Sequence, residues 1–546
     1  MSDNHKDFIL STQSGAAPGS DIRTIPQLVS AAAARFGDRL FLEEGGTKLS
    51  FKDFFEQCFQ VASALIAKGI TPGDRIAVWA PNIAEWVIAA LGAQCAGAIL
   101  VTLNTRYKGA EAAYILQKSR TKLVFSIGNF LDCDYPAMLA NENLPDLNDI
   151  IVFRQTENLA SSSGAIKQTR WEEFLELSTR TFPEYVAQCM AEVSGDDISD
   201  ILFTSGTTGN PKGVMTSHEQ NLRAFTTFAE IVGLQEGDRY LVINPFFHSF
   251  GYKAGILACL TKGVTLLPHA VFNASDILKR IAKDKISVMP GPPTLFQSLL
   301  AHPELDKYDI SSLKRATTGA AVIPVEMIHQ MKNKLGFETI ITAYGLTESC
   351  GLVTMCRIGD SAETIATTSG RAIPGVELRC VDSENREVPR GEAGEIVFRG
   401  FNVMKGYFEN EAATQECIDA EGWLHTGDVG VMDEQGNLRI TDRLKDMFIT
   451  GGFNCYPAEI EKIIAGHDGV TMSAVIGIPD VRMGEVAMAF IVPKPGVSLN
   501  ESDMINWCRE KMANYKVPRK IKIVDALPLN ASGKVVKPEL RKMAVI

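Results

Sequence analysis

A nine-residue phrase occurs twice in this chain. Gly73-Asp74-Arg75-Ile76-Ala77-Val78-Trp79-Ala80-Pro81 is echoed by Gly237-Asp238-Arg239-Tyr240-Leu241-Val242-Ile243-Asn244-Pro245, with Gly, Asp, Arg, Val and Pro recurring in register. Each copy reads as a turn, a short apolar strand and a proline stop. A helix-like segment comes after each (residues 83–96 and 253–260), and then another apolar strand after a glycine (residues 98–103 and 264–267). Parallel neighbours need a crossover, so strand, helix, strand twice over predicts α/β architecture: a large domain of two duplicated α/β halves with mostly parallel sheets. Chance similarity of two turn-strand units is the alternative, and the matching helix and strand downstream of each copy favour duplication.

A second feature lies between the copies. Thr204-Ser205-Gly206-Thr207-Thr208-Gly209-Asn210-Pro211-Lys212-Gly213 packs small and hydroxyl-bearing residues into one loop after the apolar run Ile201-Leu202-Phe203. Glycines free the backbone to turn several N–H groups toward one point, the hydroxyls add donors, and Lys212 adds a positive charge, so the loop suits a polyphosphate. At the carboxyl end of a strand it would sit where open α/β sheets bind ligands. A Walker A loop needs Ser or Thr directly after its lysine; here Gly213 follows Lys212. A plain Ser/Thr/Gly surface linker is the competing reading.

Further strand-turn units come later: residues 286–290 before Gly291-Pro292-Pro293, 315–318 before Gly319-Ala320-Ala321, and 339–343 before Tyr344-Gly345. Such loops would open on one rim and form a composite pocket. Residues 370–440 change to short alternating runs separated by turns, an antiparallel β subdomain. Beyond Arg443 the texture becomes α+β, enough for a small separate mobile lobe. The expected division is a loose tail at 1–18, a large domain at 19–444 and a C-terminal domain at 445–546.

With 45% hydrophobic and 22% charged residues over 546 positions, the composition is that of a globular protein of two or more domains. A net charge of −11 argues against nonspecific nucleic-acid binding. Eleven scattered cysteines without a Cys-x-x-Cys pair indicate reduced, cytoplasmic usage. The start is too polar for a signal peptide. The longest apolar stretch, Val87 to Val101, is broken by Gln94 and too short to span a bilayer, so no transmembrane segment is expected.

The loop from Thr204 to Gly213 is joined, in order, by Thr317-Thr318-Gly319-Ala320-Ala321, Tyr344-Gly345-Leu346-Thr347-Glu348, Trp423-Leu424-His425-Thr426-Gly427-Asp428, Asp442-Arg443 and Leu527-Pro528-Leu529-Asn530-Ala531-Ser532-Gly533-Lys534. Together these resemble the signatures of the adenylate-forming enzymes: acyl-CoA synthetases, luciferases and peptide-synthetase adenylation domains. The resemblance implies ATP, Mg2+ and coenzyme A. It implies phosphate contacts from Thr204, Ser205, Gly206, Thr207, Thr208, Gly209 and Lys212, and magnesium held through Thr204 and Glu348. Gly319, Ala320 and Ala321 would flank adenine, Tyr344 beside Gly345 would stack on it, Thr347 would bond the α-phosphate, and Asp428 and Arg443 would hold the ribose. Lys534, Thr347 and Glu348 are the implied catalytic residues.

The chemistry has a physical need for cations. A carboxylate must approach the α-phosphate, and unit charges about 4 Å apart repel by about 4 kcal/mol at an effective dielectric of about 20. Acyl-adenylate formation with loss of pyrophosphate, then attack by a thiol, is the implied reaction. No Gly-x-Ser-x-Gly elbow is present. The resemblance further implies a lobe rotation about Lys445 that presents Gly451, Gly452 and Phe453 as a thiol tunnel. It also implies an acyl pocket at Phe247, His248 and Tyr252, with His248 as gate; Lys253 beside it reads as a solvated lysine, or as a partner for a keto oxygen.

Residues 244–263, 289–293 and 439–447 are more similar to bacterial CoA ligases acting on the two-ring propanoate left by partial steroid degradation than to general fatty-acid ligases, and that likeness extends from Thr24 to Leu540. A medium- or long-chain fatty-acid or aryl-acid CoA ligase, a loader of carrier proteins and a non-catalytic adenylate-binding protein are the alternatives. The last would be expected to lack Lys534 or Glu348, and both are present. Small-molecule acid, ATP and CoA are the expected partners, and a homodimer is left open.

Overall fold

The structure is a computed structural model that describes residues 21–154, 166–204, 211–319, 323–443, 446–450, 453–512, 514–530 and 534–544. The expected tail at 1–18 lies outside the described residues. The described chain forms two compact units, one of residues up to Val376 with Gly400–Glu416, the other of Glu377–Arg399 with Cys417 onward.

The first unit is built on two large sheets, each with a parallel core and antiparallel edge strands. The repeated phrase explains both. Arg75–Trp79 pairs in parallel with Ile99–Thr102 in the eight-stranded sheet, and Arg239–Val242 pairs in parallel with Thr265–Pro268 in the nine-stranded sheet.

The likeness extends to single hydrogen bonds. Gly73 and Gly237 both have φ of +85°, a conformation open to glycine. Their N–H groups donate to the carbonyls of Gly97 (2.8 Å) and Gly263 (3.1 Å). Asp74 Oδ2 accepts from the Thr71 N–H, and Asp238 Oδ2 accepts from the Gln235 N–H. Each aspartate carries a cation, Lys122 on the first and Arg315 on the second. The duplicated halves expected from the sequence are therefore present, and their turns share these backbone and aspartate hydrogen bonds.

The copies differ in their helices. The first, Ala84–Cys95, is an α-helix buried on nearly every side. The second runs as a π-helix over Phe250–Leu257 before an α-helical turn at Ala258–Lys262. π-helices are rare and concentrate at functional sites.

The helices Ile25–Phe36 and His218–Val232 start at Thr24 and Ser217, which each form a capping box, with Gln27 and Gln220 respectively. His218, just after Ser217, is 2% exposed, and its Nδ1 accepts the Ile25 N–H at 3.3 Å. Burial lowers its pKa to about 4, against the opposing pull of Asp200 and Asp197. The imidazole is thus neutral in the fold, whereas the unfolded chain takes up its proton near the ordinary value of 6.5. Between these values the unfolded chain binds more protons, so this contribution is complete above 6.5 and is lost as pH falls toward 4, by about 3 kcal/mol over the window. His218→Gln, which can still accept from Ile25, should flatten the decline of Tm across that range relative to the parent.

The second unit holds a four-stranded antiparallel sheet (Val376–Val381, Ala393–Gly400, Leu424–Met432, Leu438–Arg443) and a five-stranded sheet around the long hairpin Val470–Asp480 and Gly484–Pro493. Three helices, Pro457–Ile464, Glu501–Lys511 and Lys537–Ala544, complete its α+β lobe. Among the described residues no helix is long and apolar enough to cross a membrane.

Candidate active site

The strand Ile198–Thr204 runs parallel to Ile99–Thr102 and returns through Lys212–Ser217, with Thr204 paired to Lys212 across the antiparallel ladder. The turn Ser205, Gly206, Thr207, Thr208, Gly209 and Asn210 lies outside the described residues; its two anchors do not. Gly213 has no room for a side chain, since a Cβ there would meet Ile201 at 2.7 Å and Phe203 at 3.0 Å.

Lys212 Nζ lies 4.9 Å from the centroid of the Tyr407 ring, a cation–π distance. The same tyrosine donates its hydroxyl to Glu348 Oε1 at 2.9 Å. Gly406-Tyr407 reaches this position as a short strand paired with Val214 and Met215, and the Met404 N–H donates to the Glu348 carbonyl at 2.9 Å. Lys212, Tyr407 and Glu348 thus converge, from three separate stretches, where the hairpin turns. Tyr407 was not foreseen; an aromatic residue flanked by Gly406 and Phe408 in a turn-rich stretch was its only sequence trace. Tyr407→Phe keeps the ring beneath Lys212 and removes one hydrogen bond to Glu348. Such a bond contributes about 0.5–1.5 kcal/mol; with Glu348 in the magnesium role that the family resemblance implies, the magnesium concentration for half-maximal rate should rise about 2- to 13-fold in a metal titration.

Glu348 and Thr347 sit on a short 3-10 turn after the strand Thr339–Tyr344. The turn folds tightly enough that a Cβ on Gly345 would stand 2.2 Å from the Gly351 carbonyl oxygen. Tyr344 is 8% exposed at the strand's end. Beside it, Arg315–Gly319 runs parallel, with Gly319 opposite Ala343. Ala320 and Ala321 lie outside the described residues. The buried hydroxyls of Thr317 and Thr318 have no hydrogen-bond partner among the described residues. Buried polar atoms are nearly always paired, so a polar ligand at this strand end fits them.

No cluster of three or more His, Cys, Asp or Glu side chains is found among the described residues. One carboxylate with hydroxyls and phosphate oxygens is nonetheless what magnesium in a nucleotide site ordinarily takes. Cys350, two residues past Glu348, is fully buried, and burial pushes its thiol up to about 12, so it stands protonated at neutral pH.

The segment expected to face the acid is clamped from the first half of the unit. Asn82, directly after Pro81 of the first repeat, donates to the carbonyls of Val242 (3.1 Å) and Asn244 (2.9 Å) and accepts the Phe246 N–H at 2.8 Å. Thr102 Oγ1 donates to the Phe247 carbonyl at 2.7 Å. His248 is exposed, Phe247 half-buried, and Tyr252 fully buried with its hydroxyl on Gln94. Lys253 departs from the sequence expectation: it is 0% exposed and ion-paired with Asp200 at 2.9 Å, so it is not a solvated lysine. Its neighbours in the π-helix are buried throughout, which turns its chain inward.

In the second unit Asp428 is 5% exposed and its backbone pairs with Arg443 across the sheet, which brings the two expected ribose residues to one register position. Thr426 and Glu395 fix the turn before it, accepting the N–H groups of Asp428 and Gly427. Lys445, Gly451 and Gly452 lie outside the described residues, and Phe453 begins a strand paired with Phe448–Thr450. Lys534 closes a loop whose ends are tied by Asn530: the Lys534 N–H donates to Asn530 Oδ1 at 2.9 Å, and the Asn530 N–H donates to the Lys534 carbonyl at 2.8 Å.

Known proteins resemble this chain over nearly its whole length. Residues 29–408 match the family described as AMP-binding enzyme, and residues 459–534 its C-terminal domain. A 3-[(3aS,4S,7aS)-7a-methyl-1,5-dioxo-octahydro-1H-inden-4-yl]propanoyl:CoA ligase of Rhodococcus jostii (strain RHA1) is 46% identical over 95% of this chain and 98% of its own. A protein of the same name from Mycobacterium tuberculosis (strain ATCC 25618 / H37Rv) is 46% identical over 96% and 99%. The crystal structure of the anthranilate CoA ligase AuaEII in complex with anthranoyl-AMP superposes with a TM-score of 0.82 at 26% identity, covering 98% of each chain.

Proposed function

Because the chain belongs to the AMP-binding enzyme family, we propose that it joins a carboxylic acid to coenzyme A in two steps. In the first the acid attacks the α-phosphate of ATP, giving acyl-adenylate and pyrophosphate; in the second the CoA thiol displaces AMP and leaves the thioester. The observation that carries this reading is the convergence of Lys212, Tyr407 and Glu348 at the turning end of the Thr204 to Lys212 hairpin.

Each residue has a task set by its chemistry. Lys212 and the loop donors neutralise phosphate charge, and Glu348 with Thr204 would hold magnesium, which supplies Lewis-acid stabilisation of the phosphate oxygens when bound. Thr347 donates to the α-phosphate. Tyr344, Gly319, Ala320 and Ala321 receive the adenine, and Asp428 with Arg443 the ribose, because a carboxylate accepts from both hydroxyls of a vicinal pair. Lys534 brings a second cation to the attacking carboxylate. Rotation about Lys445 then withdraws Lys534 and offers Gly451, Gly452 and Phe453 to the pantetheine chain.

The acid is read as a bicyclic propanoate from steroid ring degradation, supported by two relatives of that activity at 46% identity across almost the whole chain. Phe247 and His248 form its pocket wall, with His248 as gate, and the fully buried Tyr252 backs that wall. We assign the enzyme to the cytoplasm, and its assembly as a homodimer is to be checked by its mass in solution. Pyrophosphate release measured with steroid-derived, fatty and aromatic acids tests the reading: the bicyclic propanoate should give the highest kcat/KM, and a fatty or aryl acid exceeding it would replace the substrate assignment.

A further inference from the structure

Lys253 and Asp200 are both 0% exposed, and neither has a part in the chemistry above. Their surroundings are built rather than incidental. Lys253 Nζ stands 2.9 Å from Asp200 Oδ1 and 3.0 Å from Thr216 Oγ1. Thr216 donates to Asp200 Oδ1 at 2.8 Å, while Asp200 Oδ2 accepts from Asn221 Nδ2 at 2.6 Å and from Ser199 Oγ at 2.7 Å.

The placement of these residues is what matters. Asp200 lies on the strand that ends at Thr204, and Thr216 lies on the strand that begins at Lys212, so the pair sits at the root of the phosphate hairpin. Lys253 comes from the π-helix just past His248, on the acyl side. The turn bearing Glu348 packs against the start of the same π-helix: a Cβ on Gly351 would meet Ser249 Oγ at 3.1 Å. Beside them Gln94 donates to the Ser199 carbonyl at 3.0 Å and to the Tyr252 hydroxyl at 2.8 Å, which ties the neighbouring residue of the π-helix to the same strand.

An ion pair this deep contributes little net stability, because desolvating both charges offsets their attraction. Its value is in geometry: a charge pair with every oxygen occupied admits one arrangement, whereas apolar packing tolerates several. We propose that the Lys253–Asp200 pair is a positioning element that holds the acyl-side π-helix in fixed register with the phosphate hairpin, and so sets where the acid's carboxylate meets the α-phosphate. Both residues are fully buried, so the pair acts through the elements it joins. The inference rests on the adenylation reading, and the test separates the two.

The test variant is the double substitution Lys253→Met with Asp200→Asn. The introduced amide can still accept from Asn221 and Ser199 and donate to Thr216, and the introduced thioether chain fills the lysine's path, so no buried charge is left alone. Thermal melting and labelled pyrophosphate exchange into ATP are measured on parent and variant with the best acid. The parent must support exchange; if it does not, the adenylation reading itself fails. Given an active parent, the variant is expected to melt within a few degrees of it and to hold the ATP KM within about 2-fold, while the acid KM rises and kcat falls by about 10-fold or more each. Lys253→Arg, which keeps the charge, should recover part of the acid KM. Unchanged acid KM and kcat, or kcat reduced only in proportion to folded protein with both KM values unchanged, would overturn the proposal.

Discussion

Lys534→Ala is expected to slow acyl-adenylate formation by about 10²- to 10³-fold, the usual effect of deleting one preorganised group from a charge-stabilising site. The variant should nevertheless convert chemically prepared acyl-adenylate and CoA to thioester at close to the parental rate. The split arises because the two half-reactions ask for different things. In the first, two anions must be brought together, and a mobile cation lowers that barrier; in the second, the thiol attacks the uncharged acyl carbonyl of the mixed anhydride rather than its anionic phosphate, so that repulsion does not arise. The Asn530 clasp holds Lys534 through its backbone N–H and carbonyl, which the substitution keeps. Equal loss in both half-reactions, read by separate pyrophosphate-exchange and thioester assays, would remove Lys534 from its assigned role.

Gly345→Ala should be comparably severe, by another route. An added methyl group would lie 2.2 Å from the Gly351 carbonyl oxygen, 2.4 Å from its carbonyl carbon and 2.6 Å from the Leu352 nitrogen. All three are backbone atoms and cannot rotate away, so the turn carrying Thr347 and Glu348 must open. Overpacking of this kind costs about 1–3 kcal/mol in stability, occasionally more. A displacement of about 1 Å at a reacting group can cost about 10²-fold in rate. A lower Tm together with an adenylation rate reduced at least 10²-fold is expected; a variant of parental rate would mean that the turn is not placed by Gly345.

Much of the fold could be read from the sequence because it depends on local rules. The repeated Gly-Asp-Arg turn, the capping boxes at Thr24 and Ser217, and the alternation beyond residue 370 each specify structure within a few residues. Thr204, Lys212 and Glu348 were legible for a similar reason, since their loops carry short, ordered patterns. Tyr407 and Lys253 were not. Tyr407 is brought to the hairpin by pairing of its strand with Val214 and Met215, a long-range contact with no local trace. Lys253 turns inward because its helix is wound as a π-helix among apolar residues, whereas a lysine beside an exposed histidine reads as a surface charge. Asn82 escaped notice because its partners, Val242, Asn244 and Phe246, belong to the other half of the unit.

The doubled turn also brings a hazard during folding. Two segments that begin with the same three residues and make the same hydrogen bonds could trade places, each pairing with the other's sheet, and like repeats are prone to such exchange. The anchors on Asp74 and Asp238 differ, a lysine just ahead of one strand and an arginine opening another. The second copy is also longer from proline to glycine, Pro245 to Gly263 against Pro81 to Gly97. A swapped chain would therefore have mismatched span and mismatched cations at once, so each copy carries its own address within the half it builds.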